Sequence, residues 1–358
     1  MKRIVLSLVG ILAVLVITAG LSGCYIAKQG YYFYTYQQQA EPITEVLEND
    51  ELSPEIRSLL ENAVEIKQFS TEQLGLNKDR NYTKYIPTDQ NFLVYVVSGC
   101  KKDRFEPYKW SFPFLGSLPY KGFYKEEDAQ KEAQKLREKN YDGIIRKVGA
   151  FSTLGFFSDP VYSFMKKYSL YIFANIIIHE QTHATIFLKD QVQFNEELAT
   201  FVGNEGALEF IREKEGEDSQ LIEEALLQLE DTKNFYNLIR ILYRQLEEYY
   251  DRAIEEELDY ETVLLEKKKI IEEFSNEVKE HYELYFETDK FKRAFDIPVN
   301  NAYILSFVRY TKDLSLFYDL YRKYDYDLAK TIEAIKPVIQ KQYREKPKEY
   351  IRSLLTGE

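Results

Sequence analysis

The stretch Tyr171-Ile172-Phe173-Ala174-Asn175-Ile176-Ile177-Ile178-His179-Glu180-Gln181-Thr182-His183 decides how this chain is read. It is an apolar run with no turn residue inside it, and it predicts a buried helix. Positions four apart on a helix share a face, so His179 and His183 project together and can bind one metal ion. Glu180 follows the first histidine directly. There a carboxylate stands beside the ion without blocking it and can take a proton from a metal-bound water. Gln181 and Thr182 are uncharged, which suits so apolar a helix. The chain has 3 histidines in all, and two of them stand in this frame.

Two histidines do not complete a catalytic zinc site, which needs three protein ligands and an open position for water. Shortly downstream comes Asn195-Glu196-Glu197-Leu198-Ala199-Thr200-Phe201, after a polar connection at Lys189 to Gln193. A second helix starting near Asn195 would pack back on the first and present Glu196 to the metal. The Asn-Glu pair resembles the third-ligand motif of the gluzincins, the thermolysin-like and aminopeptidase-like zinc peptidases. Glu197 is the alternative ligand, although on a helix it points about 100° away from Glu196. No third histidine is close enough in sequence for a three-histidine site. The remaining histidine, His281, lies in a charged helical stretch and reads as an exposed helix residue.

Working outward, Phe92 to Val97 is a β-rich run that Ser98-Gly99 should stop. Trp110 to Leu115, Gly122 to Tyr124 and Ile144 to Phe151 read as short strands, with a helix from Glu126 to Lys139 between the last two. On the N-terminal side, helices are expected from about Glu41 to Glu48 and from Pro54 to about Leu74, the latter with Ile56, Leu59, Leu60, Ala63, Val64 and Ile66 on its apolar face. After Pro160 nearly everything reads as helix, including all of Val161 to Leu188. Between Leu221 and Tyr250 the apolar positions Leu221, Ala225, Leu229, Tyr236, Ile239, Tyr243, Leu246 and Tyr250 form a stripe. The Glu/Lys-rich segments between 212 and 284 read as solvated faces of packed helices, because no heptad is sustained.

Of 358 residues, 45% are hydrophobic and 15% aromatic, enough for a sizeable core. With 47 basic and 59 acidic residues, and no strongly basic stretch, a nucleic-acid partner has no electrostatic support. At the N-terminus, Lys2 and Arg3 precede an apolar run to Ala19 and then Leu21-Ser22-Gly23-Cys24. This is the layout of a secretory signal, and its ending resembles the bacterial lipobox, in which the cysteine becomes the lipidated first residue. An uncleaved membrane anchor is the alternative. Both put the rest of the chain outside the cytoplasm, at a membrane surface. Removal of residues 1–23 leaves 45 basic against 59 acidic residues, a net charge of −14. Tyr25, rather than Asp, follows the cysteine, which is compatible with the outer membrane where two membranes exist. With Cys24 lipidated, Cys100 has no partner for an intramolecular disulfide.

The chain resembles the bacterial putative aminopeptidases, a predicted zinc-peptidase family of membrane-anchored proteins. The resemblance runs through Trp110 to Gly116, Tyr120 to Tyr124, Ala150 to Pro160, His179 to His183, Phe194 to Gly203 and Asn300 to Ala302 with Tyr310. Where that family tends to carry a small residue after the metal glutamate, this chain has Glu197. The resemblance implies that Ser152 to Gly155 form an edge strand above the metal that pairs with the substrate backbone. It favours Tyr310 as the oxyanion donor; Tyr303, seven residues earlier, shares its helical face. Asn300-Asn301 would cap the helix that carries them. The aminopeptidase label rests on the resemblance alone; Glu197 and Glu205 are candidates to hold a substrate amine.

The fold expected is α+β and predominantly helical: a zincin-like core with a small β-sheet against the HExxH helix, and a helical C-terminal part. The segments are a lipoprotein signal (1–23), an N-terminal helical segment (24–91), a small α/β part (92–160) and a helical zinc-peptidase part (161–358), with 24–358 one cooperative unit. The expected function is zinc-dependent peptide hydrolysis: one Zn2+ on His179, His183 and Glu196, Glu180 as general base, Tyr310 at the oxyanion, and a peptide as substrate. The membrane is reached through a lipid anchor on Cys24, on the extracytoplasmic side of the cell envelope. The alternative is a zinc-containing, non-catalytic envelope lipoprotein with a binding or scaffold role.

Overall fold

The computed structural model describes residues 25–112, 116–149, 158–308 and 313–357. Cys24, Ser152 to Gly155 and Tyr310 lie outside the described residues. The fold is mostly helical with small sheets, as expected. In chain order the elements begin with α1 (25–37), β1 (Glu41–Pro42), α2 (Ile43–Val46), α3 (Pro54–Glu72) and β2 (Lys84–Ile86). There follow β3 (Val94–Lys101), β4 (Trp110–Phe112), β5 (Gly116–Leu118), β6 (Tyr120–Phe123), α4 (Glu126–Glu138), β7 (Tyr141–Val148) and β8 (Val161–Tyr162). The helical remainder comprises α5 (Leu170–Thr185), α6 (Val192–Glu215), α7 (Gln220–Glu255), α8 (Tyr260–Glu280) and α9 (Tyr282–Tyr285). It closes with α10 (Asn301–Val308), α11 (Ser315–Lys323), α12 (Leu328–Ile335) and α13 (Pro347–Thr356).

The chain divides into two units. The first takes the described residues within Met1–Ala40, Asn91–Phe151 and Asn300–Tyr303. Its sheet has the order β6-β3-β7, antiparallel throughout, with Val97 opposite Lys121 on one side and Ile145 on the other. Helix α4 covers this sheet with Ala129, Ala133 and Leu136, a spacing of one helical face, over Tyr95, Val97, Trp110 and Phe123. Gly99 does not stop β3, which continues to Lys101. The glycine leaves room for the helix above it. A Cβ there would stand 3.0 Å from both methyls of Leu136 and 3.1 Å from Cβ of Tyr108. Asn300 caps α10 as expected, accepting from the Tyr303 N–H at 2.9 Å. Asn301 is instead fully buried, and its amide donates to the Lys101 carbonyl at 3.0 Å. Tyr303 is buried in this unit beside Arg146.

The second unit takes the described residues within Glu41–Gln90, Ser152–Val299 and Ile304–Glu358. Helix α3 starts where Ser53 accepts from the Ile56 N–H and Pro54 occupies the first turn. Its buried face is the expected one, except that Val64 points to solvent. Val161 to Leu188 is not one helix. Val161–Tyr162 pairs in parallel with β2, a short 3-10 turn spans Ser163–Lys167, and α5 begins only after Ser169, whose hydroxyl accepts from the Ile172 N–H. The serine cap wins over the apolar pattern that precedes it. Of the expected stripe on α7, Ala225, Ile239, Leu246 and Tyr250 are buried, while Phe235, Leu238, Leu242 and Tyr249 are buried in place of Leu229, Tyr236 and Tyr243. Tyr243 sits at its edge because its hydroxyl donates to Glu247.

Candidate metal centre

The site is built on α5 and α6, which pack along each other. Their approach is set by two glycines of α6. A Cβ on Gly203 would lie 3.1 Å from the Asn175 carbonyl oxygen and 3.2 Å from Cβ of His179. One on Gly206 would lie 2.9 Å from Leu74 and 3.1 Å from Ile178. A side chain at Gly203 would press on the backbone of Asn175 and the Cβ of His179, and one at Gly206 on the side chains of Leu74 and Ile178.

Asn195 fixes where α6 begins. It is buried, its amide donates to the Leu188 carbonyl at 2.8 Å, and its oxygen accepts from the Leu188 N–H at 2.9 Å. The rotation of α5 is fixed from its other side by Gln181, which is 1% exposed. Its amide donates to Thr71 Oγ1 and the Asn77 carbonyl at 3.0 Å each, and its oxygen accepts from Ser70 at 2.8 Å. A buried amide with its partners in place is a strong orientational lock.

With both helices held, three donors converge. His179 Nε2 and His183 Nε2 are 3.2 Å apart, Glu196 Oε1 is 3.2 Å from His183 Nε2, and Glu196 Oε2 is 3.8 Å from His179 Nε2. The two rings stand nearly perpendicular, at 87°. All three ligand atoms fall within 4.8 Å of one another. Donors placed tetrahedrally about zinc at 2.0–2.2 Å are separated by roughly 3.3–3.6 Å. The observed spacings bracket that range, and the nitrogen–nitrogen–oxygen set is one that zinc takes. The residues present therefore fit the ion. His183 Nδ1 is buried with no hydrogen-bond partner among the described residues.

Glu197 is turned elsewhere. It is fully buried, accepts from Gln193 Nε2 at 2.8 Å and pairs with Lys348 Nζ at 2.6 Å. Glu205 is likewise engaged, accepting from the Tyr318 hydroxyl at 2.8 Å, while Glu209 accepts from Tyr321 at 3.2 Å. Burial raises the pKa of both carboxyls, that of Glu209 to about 7. His281 is exposed at the end of α8, near Glu277, as its sequence context suggests.

An acidic neighbourhood adjoins Glu180. The pairing of β2 with β8 brings Asp159 next to Tyr82, whose N–H donates to the Asp159 carbonyl at 2.5 Å, while the Asp159 N–H donates to Asn81 at 3.1 Å. Burial first, then the charges of Glu180 and Asp79, push the Asp159 carboxyl up to about 7. Tyr82 is buried with a left-handed backbone (φ 54°), a conformation that costs a bulky residue of order 1–3 kcal/mol.

A family model described as putative aminopeptidase matches residues 24–350. The chain belongs to that family. No curated protein and no solved structure matches it.

For this aminopeptidase-family chain, the structure groups the three residues picked from sequence as ligands and leaves the alternative, Glu197, in an ion pair. Sequence reading passed over Gln181, the Gly203/Gly206 pair, Asp159 and Lys348. The glycines carried a legible signal, since two of them three apart inside a helical pattern mark a close approach. Asp159 and Lys348 carried none, because their partners are far away in sequence.

Proposed function

We propose that this chain is a zinc-dependent aminopeptidase that hydrolyses the first peptide bond of peptides at the cell envelope. The observation that carries the reading is the convergence of His179, His183 and Glu196 within 4.8 Å; the family supplies the substrate class. A zinc ion on those three residues supplies Lewis acidity to a water molecule and to the scissile carbonyl.

The remaining work falls to the chain. Glu180, about 100° around α5 from His179, takes the proton of the attacking water and passes it to the leaving amine. Tyr310, assigned from the family resemblance, donates to the developing oxyanion. Residues 152–155, also assigned from the family resemblance, pair with the substrate backbone. Cys24 carries the lipid that holds the chain on the extracytoplasmic side of a membrane. Among the described residues no helix is long and apolar enough to cross one.

The test is hydrolysis of peptides with free and with blocked N-termini by the zinc-loaded chain. Cleavage of free peptides alone is expected, and cleavage of blocked ones would defeat the exopeptidase assignment. Glu180→Gln should keep its zinc and lose turnover by about 10²–10⁴-fold. Retained turnover in that variant would remove Glu180 from the mechanism.

A further inference from the structure

Glu196 lies between two buried neighbours, each held by a different part of the second unit. Asn195 is clasped by the backbone of Leu188, and Glu197 by Lys348 of α13. The C-terminal segment meets the start of α6 at a second point as well, where Gln191 Nε2 donates to the Glu345 carbonyl at 3.3 Å. Helix α13 is itself anchored. Lys323 donates to the carbonyls of Leu354 and Leu355, and the Tyr350 hydroxyl to that of Ala334.

We infer that Lys348 is a positioning residue of the metal centre: by pairing with Glu197 it keeps that carboxylate turned toward α13, so that Glu196 alone faces His179 and His183. The inference rests on the proposed zinc reading of those three ligands. A fully buried carboxylate whose partner is removed is strongly destabilising. Rotation or fraying of the first turns of α6 relieves it, and either movement carries Glu196 away from the histidines, because the two side chains sit on adjacent helix positions. With both charges replaced by apolar groups there is no stranded carboxylate, and the reason to move disappears.

The test uses the full mature chain and four variants: Lys348→Met, Glu197→Leu, the double variant of these two, and His183→Ala. Zinc affinity is measured by competition with a chromophoric chelator, and ligand geometry from the absorption spectrum of the cobalt-loaded protein. Lys348→Met should bind zinc about 10–100-fold more weakly, the scale for groups that orient metal ligands, and its cobalt spectrum should change. Glu197→Leu and the double variant should return to wild-type affinity and spectrum.

Wild-type affinity in a folded Lys348→Met chain overturns the inference, as does a double variant as weak as the single one. Should Lys348→Met fail to fold, Lys348→Gln takes its place with the same expectations. His183→Ala separates the two levels: if it keeps full zinc affinity, the ligand assignment fails. If it loses zinc while Lys348→Met does not, only the role of Lys348 fails.

Discussion

Asp159 sits where a half-buried acid meets the charge of Glu180, and the two work against each other. Burial and the neighbouring carboxylates hold its folded pKa at about 7, while an unfolded chain would titrate it near 3.9. Between those values the unfolded chain has released the proton and the folded chain still holds it. Stability therefore falls as pH rises from about 4 to about 7, and levels off above. The swing from this group is at most about 4 kcal/mol. In the metal-free protein, Asp159→Asn should flatten that slope and raise stability at pH 8, read by denaturant melts across the range. An unchanged slope would mean the carboxyl is not held in its protonated form. In the sequence Asp159 stood only inside the Ala150 to Pro160 segment of the resemblance, with nothing local to mark its carboxyl as perturbed.

At the scale of elements, the metal centre depends on how close α6 comes to α5. Gly203 faces the backbone of Asn175 and the Cβ of His179, neither of which can give way without moving the ligand. Gly203→Val should cost about 1–3 kcal/mol of stability and weaken zinc binding in the same variant. Loss of stability with full zinc affinity would show that the seam and the site are independent. The HExxH helix and the helix after it were legible because their signals are local: residues four apart on one face, and an Asn-Glu pair after a short connection. The strands of the first unit were legible as well, from a β-rich run and from punctuation by Gly and Pro. What failed were boundaries and rotations. Gly99 reads as a stop in one dimension, but it is a gap left for Leu136 of α4. On α7 the expected stripe held at Ala225, Ile239, Leu246 and Tyr250 but failed at Tyr243, which counts as apolar in a pattern yet keeps its hydroxyl on Glu247. Glu196 and Glu197 could be ranked but not separated, since the lysine that separates them stands about 150 positions downstream.

The whole molecule is strongly acidic, and it is proposed to be held at a membrane by a single lipidated residue. Cys24→Ser should remove the lipid and shift the chain from the detergent phase to the aqueous phase, or leave its leader uncut; a lipid-bearing variant would refute the assignment. The other cysteine, Cys100, is buried, with its thiol donating to the Arg104 carbonyl, so it offers no second attachment point. The acids behind the metal helix bear on the molecule's charge. Glu205 and Glu209, hydrogen-bonded to Tyr318 and Tyr321, have their pKa values raised by burial, as does Asp159. A count of acidic letters thus overstates the negative charge of the native form in mildly acidic buffer. The metal-free chain should come to rest at a higher pH in a native isoelectric-focusing gel than in one run in urea, where those carboxyls regain water and ionise.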